Sequence, residues 1–177
     1  MYFFPSSKKQ LDSSEELRKL KLYAESKEAV YKKLKKKVRE SKFYDVNELM
    51  YSAHDESFGK TDCLKCANCC KSIPPMLENE DIRRIARHMN LSATDFRKKY
   101  IKRDSDGDSV LNITPCMFLG KDNKCSIYEI RPKACAEYPF TNYPNTKSVF
   151  GMIVNNAAIC PAVSKVLDIM EQNLENG

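Results

Sequence analysis

Eight cysteines carry most of the chemistry open to this chain: Cys63, Cys66, Cys69, Cys70, Cys116, Cys125, Cys135 and Cys160. Four of them crowd into one run, Cys63-x-x-Cys66-x-x-Cys69-Cys70. Two residues between cysteines form a small turn that aims both sulfurs at one ion, about 2.3 Å from a zinc. Three cysteines at that double spacing, with a remote cysteine followed by proline, match the run that holds iron–sulfur clusters in ferredoxins. Cys160-Pro161 offers such a remote pair. Because neighbouring side chains diverge, Cys69 and Cys70 are expected to belong to different sites, or one of them to none. All eight cysteines are candidate metal ligands. The spacing favours an iron–sulfur cluster over zinc, since zinc knuckles usually come as two separated pairs.

The setting supports metal over disulfides. Eight cysteines in 177 residues fall well below the ~8–10% of a short disulfide scaffold. The opening Met1-Tyr2-Phe3-Phe4-Pro5 is too short for the apolar stretch of a signal peptide. A cytoplasmic, reducing location is therefore expected, where clustered thiols bind metal or work in redox chemistry. No segment approaches the roughly 20 apolar residues of a membrane helix.

Other chemistries are excluded by what is missing. The glycines at positions 59, 107, 120, 151 and 177 stand alone, whereas phosphate-cradling loops need glycines a few residues apart. His54 and His88 are too distant for a paired-histidine metal helix or finger. Asp104-Ser105-Asp106-Gly107-Asp108 departs from a calcium loop: its glycine comes two positions early, and Pro115 stands where the bidentate acid belongs. That stretch reads as a turn.

The elements that must position the cysteines follow from periodicity. Residues 1–42 carry 13 Lys+Arg against 6 Asp+Glu, and the rest of the chain is nearly balanced. A capping box at Ser13-x-x-Glu16 opens an amphipathic helix with a seam at Leu17, Leu20, Ala24, Tyr31, Leu34 and Val38, interrupted by Lys27. Its lysine face could meet a protein partner; without interleaved aromatics, nucleic acid is not expected. Val46, Leu49, Met50 and Ala53 give a second helix. Ile73-Pro74-Pro75 forces an extended stretch. Asn79 reads as the N-cap of a helix with the stripe Ile82, Ile85, Ala86 and Met89, and Ser92-x-x-Asp95 opens another. Val110–Ile113 reads as a strand, residues 116–128 as a hairpin holding Cys116 near Cys125, Pro132 as a helix start ahead of Cys135, and Val149–Val154 as a strand. Val163, Val166, Leu167, Met170 and Leu174 mark a C-terminal helix. The expected fold is α+β and mostly helical with a few short strands: a basic helical arm over 1–42 and a cysteine-cluster domain over 43–177.

Taken together, the cysteine run, Pro115-Cys116-x-Phe118-Leu119, Cys125-Ser126-Ile127-Tyr128-Glu129-x-Arg131-Pro132-x-x-Cys135 and Tyr138-Pro139-Phe140 resemble the zinc- or iron-chelating CxxCxxCC domain family, the YkgJ-like cysteine-cluster proteins. The resemblance spans about residues 60–165 and leaves out the basic arm. It implies metal chelation, by zinc or as iron–sulfur. One branch is similar to flagellin lysine N-methylase, a larger protein, which keeps a cluster-dependent methylase among the alternatives.

A metal held by four thiolates leaves negative charge that must be compensated. Arg131, always charged and with five donors, is the candidate cofactor-binding cation; its alternative role is a surface residue at a helix start. Phe118, Ile127, Tyr128, Tyr138 and Phe140 either wall the site from water or simply pack the core. The functional expectations are an iron–sulfur module with a redox or sensing role, a structural zinc module for protein interaction, or the methylase.

Overall fold

A computed structural model describes residues 8–175. In chain order the elements are α1 (Lys8–Ser26), α2 (Glu28–Glu40), α3 (Phe43–Phe58), α4 (Cys63–Cys66), α5 (Asn68–Ser72), α6 (Asn79–His88), α7 (Ala93–Tyr100), β1 (Ile101–Arg103), β2 (Ser109–Leu111), α8 (Lys133–Glu137), α9 (Thr146–Asn156) and α10 (Pro161–Glu175). A 3-10 turn spans Tyr128–Ile130. The fold is α+β and mostly helical, with one antiparallel sheet of two strands among the described residues. No described helix is long and apolar enough to cross a membrane. The chain divides into two units, Met1–Asp62 with Pro139–Gly177, and Cys63–Tyr138.

The first unit is built from helices. Tyr31, Leu34 and Val38 of α2 recur at helical spacing and enter one buried cluster with Val46, Met50 and Ala53 of α3, Val149, Phe150 and Ile153 of α9, and Val163, Val166, Leu167 and Met170 of α10. Each fully buried side chain of this size contributes roughly 1.5–3 kcal/mol. The expected seam through residues 17–38 breaks at Lys27, a turn residue whose N–H reaches Tyr23 O at 3.1 Å. Its ammonium pairs with Glu171 at 2.8 Å and Asp168 at 3.3 Å. Helix α1 is already under way at Lys8, so Ser13 does not start it. Residues 149–154 are helical, not a strand. Asn145 caps α9 by accepting from Ser148 N–H at 3.3 Å, and Val149, Phe150 and Ile153 share its buried face. Asn47, buried in α3, clamps the approach to α9: it donates to Pro144 O and accepts from Thr146 N–H, both at 3.0 Å.

The second unit holds a smaller core of Leu77, Ile82, Ile85, Ala86, Phe96, Leu111, Phe118 and Ile127. Ser92 caps α7 as expected, accepting from Asp95 N–H at 3.0 Å. The cap of α6 is Glu78 in place of Asn79, in a reciprocal box with Asp81. Asp104 makes the β1–β2 turn, its carboxylate accepting from Asp106 and Asp108 N–H at 3.0 and 2.8 Å, and Gly107 takes the positive φ that turn needs. Past the prolines, the chain runs extended beside β2, with Leu77 N–H on Ser109 O at 2.8 Å. The expected 116–128 hairpin is reduced to a turn closed by one bridge, Leu119 to Cys125.

Candidate metal centre

Two very short helices carry the cysteine run. Cys63 and Cys66 stand three residues apart on α4, hence on neighbouring positions of one face. Ala67 then takes a left-handed conformation, φ 50° and ψ 22°, and redirects the chain into α5. Ala67 N–H closes on Cys63 O at 2.8 Å, and Lys71 reaches back to Cys66 O at 2.8 Å. Cys63 is exposed and the other seven cysteines are half-buried; none of the eight is joined in a disulfide.

The divergence expected of Cys69 and Cys70 is not found. Their sulfurs lie 3.9 Å apart, close to the about 3.8 Å edge of a tetrahedron of thiolates around one zinc. Cys70 is joined to the next segment by its backbone, since its carbonyl accepts from Cys116 N–H at 2.8 Å. Cys116 and Cys125 both rest on the small core beside Phe118 and Ile127. Cys135 sits inside α8, whose start is Pro132 in the capping position.

Electrostatics tie these thiols together. The Cys69 contact, then burial and the charge of Cys69, push the Cys70 thiol strongly up. Burial raises Cys116, with Cys70 and Cys125 adding to it, while the Phe118 and Leu119 amides hydrogen-bond its sulfur and favour the thiolate. Cys135 is pushed up to about 12 by burial and then by Cys70, Cys116 and Cys125, with Arg131 pulling the other way. Thiolates crowded in this way repel one another and need a cation to exist together. Among the described residues, no three His, Cys, Asp or Glu side chains form a ready-made cage for an ion.

Arg131 donates to Tyr128 O at 2.7 Å and lies over the Tyr128 ring, 4.0 Å from its centroid. Of the expected wall, Phe118 and Ile127 are buried, but Tyr128 is 56% exposed. Phe140 packs instead in the helical unit, edge-on to Tyr143. Cys160 opens α10 in that same unit, half-buried against its core.

Sequence reasoning missed Asp81 and Arg84. Asp81 is 2% exposed, and its carboxylate accepts from Arg84 at 2.7 Å and from the Lys133 N–H, at the head of α8, at 3.2 Å. Arg84 also donates to Ile130 O and Arg131 O at 3.3 and 2.9 Å. The pair therefore fastens the segment that bears Arg131 and Cys135. The available signal was an acid placed beside the apolar stripe of Ile82 and Ile85, where a charge requires a partner.

Residues 62–161 match the CxxCxxCC family, described as "Putative zinc- or iron-chelating domain". An uncharacterized protein of Methanocaldococcus jannaschii is 29% identical over 82 residues, 45% of this chain and 44% of that protein, so the match spans less than half of the relative's length. No solved structure matches the chain. The family match takes in the whole cysteine run and covers more than half of the chain, which therefore belongs to the CxxCxxCC family of zinc- or iron-chelating domains.

Proposed function

We propose that this protein holds an iron–sulfur cluster through its cysteine unit and uses it for redox or sensing work. The observation that carries the reading is the crowding of thiols. Cys69 touches Cys70, Cys116 feels the charge of Cys70 and Cys125, and Cys135 that of Cys70, Cys116 and Cys125. The ferredoxin-like spacing of Cys63, Cys66 and Cys69 supports the same metal. Cys160 is proposed as the remote ligand on the spacing argument alone.

The donor set suits such a centre. Thiolates are the ligands iron–sulfur clusters take, and the Phe118 and Leu119 backbone favours the Cys116 thiolate. Arg131 is the proposed counter-cation, its charge favouring the Cys135 thiolate.

Anaerobic purification followed by assay of iron, sulfide and zinc per chain, with the visible spectrum, tests this. Brown protein with matched iron and sulfide is the expected result, lost when Cys70 and Cys135 are replaced by Ser. Colourless protein with stoichiometric zinc would transfer the site to a structural zinc module. Protein that binds neither would overturn the assignment of the thiols to metal.

A further inference from the structure

A groove of about 780 Å³ runs between α2 and α9, both in the helical unit. Its floor is Ala29, Val38, Phe150 and Gly151, and its rim is Lys32, Lys33, Lys35, Lys36, Arg39 and Lys147. Among the described residues no aspartate or glutamate lines it. Lys147 is partly committed, since its ammonium caps the end of α2 at Arg39 O (3.2 Å) and Ser41 O. The other five cations pair with no acid among the described residues.

Gly151 is the second observation. It sits in the middle of α9, where glycine weakens a helix, and a Cβ built on it meets nothing within 4 Å. Packing inside the chain therefore does not demand a glycine. Its bare backbone keeps the groove floor open for something that approaches closely.

We propose that this groove docks an acidic, amphipathic segment of another protein, with apolar side chains on the floor and carboxylates among the lysines. This proposal is independent of the metal assignment. Charge complementarity sets the sign of the partner, and the apolar floor sets its second property. Nucleic acid fits less well, because no exposed aromatic face lines the groove for a base to stack on. A flat bilayer cannot fill a concave floor.

The test uses the full chain and a fluorescein-labelled acidic peptide of about 15 residues with Leu and Phe at i, i+3, i+4 and i+7. Binding is read by anisotropy. Gly151→Leu, which fills the floor without changing charge, should weaken binding by about tenfold or more while thermal melting does not fall and metal content stays unchanged. Lys32→Glu with Lys36→Glu should weaken it at least as much, and replacing the peptide's Leu and Phe by Ser should abolish it. The proposal falls if the peptide does not bind, or if charge reversal abolishes binding while Gly151→Leu and the Ser peptide leave it intact, which is plain polyelectrolyte attraction. It falls equally if single-stranded DNA or phosphatidylserine vesicles bind with the same sensitivity to Gly151→Leu and displace the peptide.

Discussion

Arg131 places a permanent charge near Cys135 and lays its guanidinium on an exposed ring. Removing the charge with Arg131→Met should speed metal loss to a competing chelator by about tenfold to a hundredfold. Arg131→Lys keeps the charge but not the flat stack, so its loss rate should lie between the two. Tyr31 gives a different kind of test. Its hydroxyl is buried without a hydrogen-bond partner among the described residues, and burial, with Asp168 adding to it, raises its pKa from 10.0 to about 12. The folded chain thus holds this proton longer than the unfolded one. The Tyr31 contribution is complete below pH 10 and is lost as pH rises towards 12. Tyr31→Phe should melt at pH 7 no lower than the parent, with a gain of up to about 1 kcal/mol, and should lose less stability over that alkaline interval. Thermal melts across the pH range check both statements.

Among the elements, α8 depends most on a side chain from elsewhere. It has only five residues, too few to stand alone in water, and the Asp81–Arg84 pair holds its entry. Asp81→Ala leaves Arg84 without its ion partner and should cost about 2–3 kcal/mol by denaturant melts, below the range for a fully buried pair because Arg84 is partly exposed. Metal retention should fall with it. Helix α9 offers the opposite sign: Gly151→Ala adds a methyl group in open space and should raise stability by about 0.5–1 kcal/mol. The helix also marks a limit of reading by residue type. Val149, Phe150, Ile153 and Val154 are good strand formers, but Asn145 starts a helix and three of the four fall on one face of it. By contrast, Tyr31, Leu34 and Val38 are legible as a buried stripe because their spacing fits only one period, and Lys27 is legible as the interruption.

For the molecule as a whole, the thiols that are candidate ligands can be listed from sequence, but how the fold groups them cannot. The spacing within Cys63-x-x-Cys66-x-x-Cys69 is local, so it is visible in the residues. That Cys116 joins Cys70 depends on one backbone hydrogen bond between segments 46 residues apart, which no local pattern reports. Nor does a pattern reveal that Asp81 holds Cys135 in place. Each unit has its own buried cluster, so metal removal should act unevenly. Hydrogen exchange with and without a strong chelator should show protection falling by tenfold or more within residues 63–138, while α2 and α3 change little. The Cys69–Cys70 contact carries a further consequence. Cys69 and Cys70 adjoin on a single five-residue helix, and Cys70 is bonded through its backbone to the Cys116 segment, so immobilising α5 for one thiol lowers the ordering entropy still to be lost at the others. Incorporation should then be all-or-none: native mass spectrometry of a half-reconstituted sample should resolve empty and full chains with few in between.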